Sequence, residues 1–481
     1  MSESAINSPD EINTAEIKRN KCGPGLTLEP PMLFLFFTVS LTGEVLANEI
    51  FYRTCTVSLG INETECIPLL HPNNKSSTND LEALIQPISA KIIMARSLID
   101  ACVPALMSLI LGPWSDIYGR KPLIVFPFLG YMLMYVITAT LASLTNISPW
   151  WYVLPSIPVA LSGGQCSLIT GSFCYLTDSI EKESRGIRMG ILEGAIFVGL
   201  LIGSLSAPLI YNSFGSVIVF TIAAMSVLIG LFYCCALVQE TVIIDPSLTK
   251  SRIRGLFDFS LASDMINVCC KSRLYWDRAI IWILMITLGF SILVLEGNAT
   301  VNYMFVREKL HWTITDFTRY NSASIILSII GTCLGIYILS KVLGCGDLLL
   351  SILSQISSVS EAVIKAVAYQ GWHMYLGAAL SMLRGCFGPM VRTFLSKIVP
   401  ASDIGKIFSL ATSIESVTPL AASPVYTTLY TNTFKQFPGA YNVLTASVYM
   451  LNIILLLIVQ YLIKIKRSYE QLNTNSYHEQ T

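Results

Sequence analysis

The sequence predicts an all-α membrane protein of twelve transmembrane helices, arranged as two six-helix, pseudo-symmetric bundles. Three observations carry that expectation. Of 481 residues, 53% are hydrophobic and only 13% charged, whereas a soluble chain carries about 25% charged residues. Apolar runs near the length of about 20 residues needed to cross the hydrocarbon recur twelve times. The longest polar interruption, 239–278, divides those runs six and six.

The runs fall at 31–50, 91–112, 122–143, 151–176, 189–210 and 216–238, then at 279–302, 319–340, 347–368, 372–396, 406–429 and 440–463. An even number of spans puts both chain ends on one side, and basic residues decide which. The side holding Asp116 carries twenty Lys and Arg against seven on the other, so it is the cytosolic one. The predicted organisation is a cytosolic N-terminal tail (1–30), an N-terminal bundle (31–238), a cytosolic central loop (239–278), a C-terminal bundle (279–463) and a cytosolic tail (464–481). Residues 1–29 are polar and mixed in charge, so the first span is expected to serve as its own uncleaved signal.

The outer loop at 51–90 contains Asn62-Glu63-Thr64 and Asn74-Lys75-Ser76, two glycosylation sequons clear of the membrane. Cys55 and Cys66 lie in the same loop, where a disulfide persists, and are expected to pair. The other cysteines are mostly scattered through apolar runs as small hydrophobes. Net charge is zero and no long basic stretch occurs, which argues against nucleic acid as a partner. The absence of a C-x2-C pair removes zinc-knuckle and thioredoxin-like readings. No cofactor is implied, and the sequence sets no oligomeric state.

Between the second and third runs stands Gly112-Pro113-Trp114-Ser115-Asp116-Ile117-Tyr118-Gly119-Arg120-Lys121. Two glycines let the backbone reverse, Asp116 offers an anion to cations and helix ends, and Arg120-Lys121 hold the loop in the cytosol. The spacing of Gly112, Asp116, Gly119, Arg120 and Lys121 resembles the signature of the major facilitator superfamily at this turn. Glycines 186, 190, 194, 199 and 203 recur along the fifth run, and Gly331 and Gly335 along the eighth. Such spacing lets helices approach closely, which is plain packing unless the neighbour belongs to the other half.

Ionisable groups inside a bilayer are costly and mark a pathway or a partner. The first half offers Glu44, Glu49, Arg96, Asp100, Asp178 and Glu193; the second offers Glu296, Glu361, Lys365, Arg384, Arg392 and Glu415. Arg96–Asp100 and Glu361–Lys365 are spaced i,i+4 and read as ion pairs on one helix face. Glu44 and Glu49 lie toward the outer half of the first span, where Glu49 is expected to reach the interface. Glu193 has no cation at i±3 or i±4. Desolvation favours the neutral form of such an acid, which suits a proton carrier. Arg392 follows Gly388-Pro389, where the helix is expected to break, and a guanidinium there needs an internal carboxylate or an anionic ligand.

The Asp116 turn resembles a family more narrowly when joined to other motifs. These are Gly163-Gly164, Gly171-Ser172-Phe173 to Asp178, Arg185, and Arg188-Met189 to Glu193. The second half adds Pro389-Met390-Val391-Arg392-Thr393-Phe394-Leu395-Ser396-Lys397 and Gly405-Lys406-Ile407-Phe408-Ser409. Together they are similar to the proton-coupled folate transporter family, solute carrier family 46, over nearly the whole chain. The resemblance implies proton coupling and substrate binding at Asp178, Glu193 and Arg392, and conformational change at Asp116 and Arg120. Two features depart from it. The family's folate-transporting member uses a seventh-span histidine, where this chain has Glu296. That member's outer disulfide reaches the loop after the seventh span, which lacks cysteine here.

The function expected is secondary active transport of a small anionic organic solute together with protons, by alternating access across the lipid bilayer. Glu193 and Asp178 are the expected proton-coupling residues, and Arg392, Arg384 and Glu296 the expected substrate contacts. A lysosomal exporter of muropeptides or steroid conjugates, or a non-transporting receptor of the same fold, stands as the alternative. No membrane-embedded histidine, metal-ligand pair or G-x-S-x-G elbow supports an enzyme. Tyr469-Glu470-Gln471-Leu472 resembles a tyrosine-based sorting signal, so the expected location is the plasma membrane or an endolysosomal membrane, with both termini cytosolic.

Overall fold

The computed structural model describes residues 27–67, 79–242, 267, 270–271, 273, 276–310, 312, 314–400, 403–433 and 436–478. Asn74 and His71 lie outside the described residues, as do His311, the tail 1–26 and most of the central loop. The described chain is helical, with no strand among the described residues. We number the spans α1 (Glu29–Arg53), α2 (Asn79–Tyr118), α3 (Lys121–Ser143) and α4 (Pro149–Ser179). α5 and α6 are the two arms of one 53-residue helix, Arg185–Leu237. The second half has α7 (Asp277–Leu310), α8 (Ile314–Gly335, continued by a π-helical turn to Val342) and α9 (Asp347–Ala366). It ends with α10 (Gly371–Leu380 and Phe387–Ile398), α11 (Ile404–Thr433) and α12 (Ala440–His478).

Nine helical stretches among the described residues are long and apolar enough to cross a membrane. The Arg185–Leu237 stretch is one of them and is about 80 Å long at 1.5 Å per residue, more than twice the hydrocarbon thickness. It folds back at Gly215, whose φ of 78° and ψ of 178° a side chain would resist. α10 is broken and α11 carries Pro419 and Pro424, so neither reads as a continuous apolar span, yet both are helices. The break in α10 falls at Ser381–Cys386, not at Gly388-Pro389. Pro389 instead sits in the first turn of the second segment, where its missing N–H would have had no intrahelical partner.

Large apolar side chains point outward, among them Leu209, Phe214 and Phe232, each with about 70% of its surface open. Exposure of that kind on helices is what a lipid solvent demands. Inside, one core cluster runs from Leu28 and Met32 of α1 through Phe173 and Leu192 to Phe408 and Ile453, so it joins both halves. Contacts between halves run along α2–α11, α4–α11, α5–α8 and α5–α10.

The glycines of α5 divide by position. Side chains at Gly186, Gly190 and Gly194 would press on Met390, Ile336 and Cys333 of the opposite half. Gly199 and Gly203 instead admit the backbone of α1, at Leu33 and Phe37. The first three therefore belong to a surface along which the halves meet.

Candidate functional site

The turn after α2 is built as a charge cluster. Arg120, only 2% exposed, pairs with Asp116 one helical turn before it and donates through Nε to Asp178 Oδ2 at 3.1 Å. Its Nη1 also donates to Ser115 Oγ at 2.7 Å. Glu240, at the end of α6, accepts the backbone N–H groups of Arg120 and Lys121 at 2.7 and 3.1 Å and so caps α3. Gly119 at φ +115° leaves room for that carboxylate. Asp116 lies against Gly405 in the first turn of α11, where an anion is favoured by the helix dipole. Thus Gly112, Asp116, Gly119, Arg120 and Lys121 form one unit against the other half. Asp178, expected at the proton-coupling site, sits in this unit and not beside Glu193.

Above the turn the two halves are zipped together. Gly112 abuts Ser409, Ser108 bonds Ser413, and Thr170 Oγ1 meets Thr412 Oγ1 at 2.6 Å. Ser416 Oγ donates to Ala101 O at 3.1 Å, and Arg185 Nη1 donates to Ser396 O at 3.3 Å. Phe173 and Phe408 stack edge to face with centroids 6.5 Å apart. The Asp116 end is therefore closed.

Next to that plug lies a second charged cluster. Arg392 on α10, 8% exposed, donates through Nη2 to both oxygens of Glu415 on α11, at 2.8 and 2.6 Å. Its guanidinium carbon lies 4.7 Å from the centre of the Phe173 ring, a cation–π contact across the halves. Glu193, half-buried on α5, lies one turn beyond Met189, whose sulfur touches Thr393 at 3.1 Å. It is near enough to Arg392 and Glu415 to feel both charges. Arg392 is thus bonded to one carboxylate, Glu415 of its own half, with Glu193 of the other half close by.

Each half also holds a cavity between its helices. The N-terminal cleft, about 340 Å³, is lined by residues that include Thr42, Arg96, Asp100, Tyr131, Met134 and Tyr135. Arg96 pairs with Asp100 at 3.6 Å, donates to Tyr152 O at 3.0 Å, and leaves the cleft charge-balanced. The C-terminal cavity, about 140 Å³, is lined by Glu361, Lys365 and Arg384 together with asparagines of α7 and α12. Lys365 pairs with Glu361 at 2.5 Å and Arg384 with the same carboxylate at 3.3 Å.

Sequence reasoning anticipated both i,i+4 pairs but not the partner of Arg392, because Glu415 lies on another helix. It also placed Glu49 at the interface. The structure buries Glu49 at 5% exposure, accepting from Arg53 Nε at 2.9 Å, while Arg53 Nη2 donates to Ala142 O at 3.0 Å. Burial of Glu49 is the outcome of that local cation. Glu296 has no charged partner among the described residues and is not drawn into the Arg392 cluster. In the outer loop Cys55 and Cys66 are disulfide-bonded, and Asn62 is exposed just before the short helix Glu63–Cys66.

Residues 82–423 match the family model described as Major Facilitator Superfamily. The chain is 33% identical over 440 residues to the "probable peptidoglycan muropeptide transporter" of Drosophila melanogaster, covering 89% of this chain and 84% of that protein. It is 26% identical over 423 residues to the "proton-coupled folate transporter" of Rattus norvegicus, covering 86% and 87%. Among solved structures it resembles the human organic anion transporter MFSD10, with TM-score 0.70 at 12% identity over 89% of this chain and 97% of that one.

Proposed function

We propose that this chain, which belongs to the major facilitator superfamily and within it to solute carrier family 46, couples the movement of protons to that of a small organic anion. The observation that carries the reading is a second carboxylate, Glu193, set close to the Arg392–Glu415 ion pair. With Glu193 and Glu415 both ionised, the buried cluster holds two negative charges against one positive. One proton makes it neutral. A cluster that must gain or lose a proton to stay balanced is the element a symporter needs at the point where its halves meet.

In the state described, the Asp116 end is closed and Glu415 meets the charge of Arg392. Glu193 then takes the proton from the acidic side, the halves close over the solute, and opening at the other end returns the proton to a more neutral compartment. The Asp116–Arg120–Asp178 unit acts as the hinge latch at the cytosolic end, with both termini on that side. The solute class follows the relatives: folate-like or muropeptide-like anions. An endolysosomal membrane, with the lumen as the acidic side, suits the Tyr469 motif, and the plasma membrane suits the same chemistry at an acidic surface.

The test is flux. Purified protein in sealed vesicles should accumulate tritiated folic acid or a tritiated muramyl dipeptide when the outer medium is acidified, and a protonophore should abolish the accumulation. Saturable binding with no flux under any pH gradient would instead favour a receptor that kept the fold and lost transport.

A further inference from the structure

One cavity lies in each half: the first between α1, α2, α3 and α4, the second between α7, α8, α9 and the break in α10, with α12 behind. Their charges differ. In the first, Arg96 and Asp100 cancel. In the second, Lys365 and Arg384 face one carboxylate, Glu361, and leave one unit of positive charge. Glu361 and Lys365 are buried, whereas the Arg384 side chain keeps 33% of its surface open. Lys365 Nζ also lies 5.4 Å from the centre of the Tyr320 ring.

The uncharged lining adds donors. Asn298 Oδ1 accepts from Thr445 at 3.0 Å and Asn302 Oδ1 accepts from Tyr441 at 3.3 Å, so among the described residues each amide has its N–H₂ end to spare. Asn442, 2% exposed and also lining the cavity, has an Nδ2 with no hydrogen-bond partner among the described residues. A buried donor left unpaired is rare in a folded protein and marks a place where an acceptor belongs. The volume of about 140 Å³ takes a carboxylate and a few attached atoms, less than the 300–1,000 Å³ of a whole ligand pocket.

We propose that this C-terminal cavity is the anion subsite: Arg384 and Lys365 hold the carboxylate end of the solute, and Asn298, Asn302 and Asn442 donate to its neighbouring acceptors. Arg392 is then freed from substrate binding and serves the proton-carrying acids alone. The inference rests on the transport reading above and adds where, and by which groups, the anion is recognised.

The experiment compares folic acid with its neutral dimethyl ester, and muramyl dipeptide with its neutral methyl ester, in proton-driven vesicle uptake. Wild type should take up at least one acid with an apparent KM about tenfold or more below that of its ester, the loss expected for one charge-assisted contact. Arg384→Gln removes the net charge while leaving the Glu361–Lys365 pair intact, and should erase that preference; Arg384→Lys should restore part of it. Arg392→Gln should leave the preference unchanged in substrate protection of the purified protein against heat. Equal handling of acid and ester by wild type, which needs no variant to fold, overturns the subsite while leaving proton-driven flux standing. Loss of the preference in Arg392→Gln but not in Arg384→Gln overturns it equally. Flux of neither probe removes the transport reading, and the subsite with it.

Discussion

Replacing Glu193 by Gln tests the charge count at the centre of the molecule. The change keeps the shape of the side chain and removes the carboxylate that lies close to the Arg392–Glu415 pair. What remains is one carboxylate, Glu415, bonded to one guanidinium, Arg392, at 2.6 and 2.8 Å, a pair without net charge. The variant is thus fixed in the charge state that the wild type reaches only with a proton aboard. One proton moving down two pH units supplies about 2.7 kcal/mol. For a singly charged anion that is enough to hold a gradient of about 100-fold. Vesicles at about pH 5.5 outside and about pH 7.5 inside should therefore accumulate solute about 100-fold with wild-type protein and about 1-fold with Glu193→Gln. Counterflow, in which labelled solute exchanges against unlabelled solute with no pH gradient, should survive in the variant, because binding and rocking do not need the lost proton. A Glu193→Gln protein that still builds a gradient near 100-fold would refute the assignment.

Three further outcomes follow from the same geometry. The double variant Glu193→Gln/Glu415→Gln leaves a buried guanidinium without a carboxylate and should cost about 3–5 kcal/mol, more than the two single changes added together, read as the apparent Tm in detergent. Gly405→Val would collide with Asp116 and Arg120, and Gly112→Val with Ser409, so each should prevent closure at that end. Flux should fall about tenfold or more while a cysteine placed at Ser413 becomes reactive to thiol reagents, since opening the plug exposes it. Cys55→Ser opens a cross-link spanning 11 residues and should destabilise the outer loop by about 3 kcal/mol, seen as faster proteolysis there with the helical core intact.

The fold was largely readable because the bilayer imposes one demand, apolar length, that a local window detects. Twelve runs were visible even where the structure weakens the signal, as in α10 with its break at Ser381–Cys386. The placing of that break was misread because Gly388-Pro389 looks disruptive in isolation, whereas proline in a first turn costs the helix nothing. Charge pairs were legible only within a helix. Arg96–Asp100 and Glu361–Lys365 follow from i,i+4 spacing. Arg120–Asp178 spans 58 residues and Arg392–Glu415 spans 23, and no local pattern reports such meetings. The same limit hid Glu29, which reads as the end of a tail. It is 3% exposed and pairs with Arg188 of α5 at 3.1 Å.

How the closed end can open is written in which contacts cross between the halves. The ion pairs that organise the interior stay within one half: Arg120 with Asp116 and Asp178, Arg188 with Glu29, Lys397 with Asp347, Lys466 with Asp277, and Arg392 with Glu415. The contacts that cross are mainly hydroxyl to hydroxyl, hydroxyl to carbonyl, and glycine against side chain, at Ser108–Ser413, Thr170–Thr412, Ser416–Ala101 and Gly112–Ser409. A neutral hydrogen bond contributes about 0.5–1.5 kcal/mol net, and its groups are satisfied again by water when they part. A buried ion pair broken open would leave charges stranded at several times that cost. Each half can therefore move as a rigid body, carrying its charges already paired, over a seam whose contacts are individually weak. Two guanidiniums also cross: Arg185 donates to Ser396 O at 3.3 Å, and Arg392 touches the Phe173 ring and lies close to Glu193. In the proposed mechanism, protonation of the carboxylate beside Arg392 is the step that changes how strongly the halves hold together, which gives a proton gradient leverage over the solute.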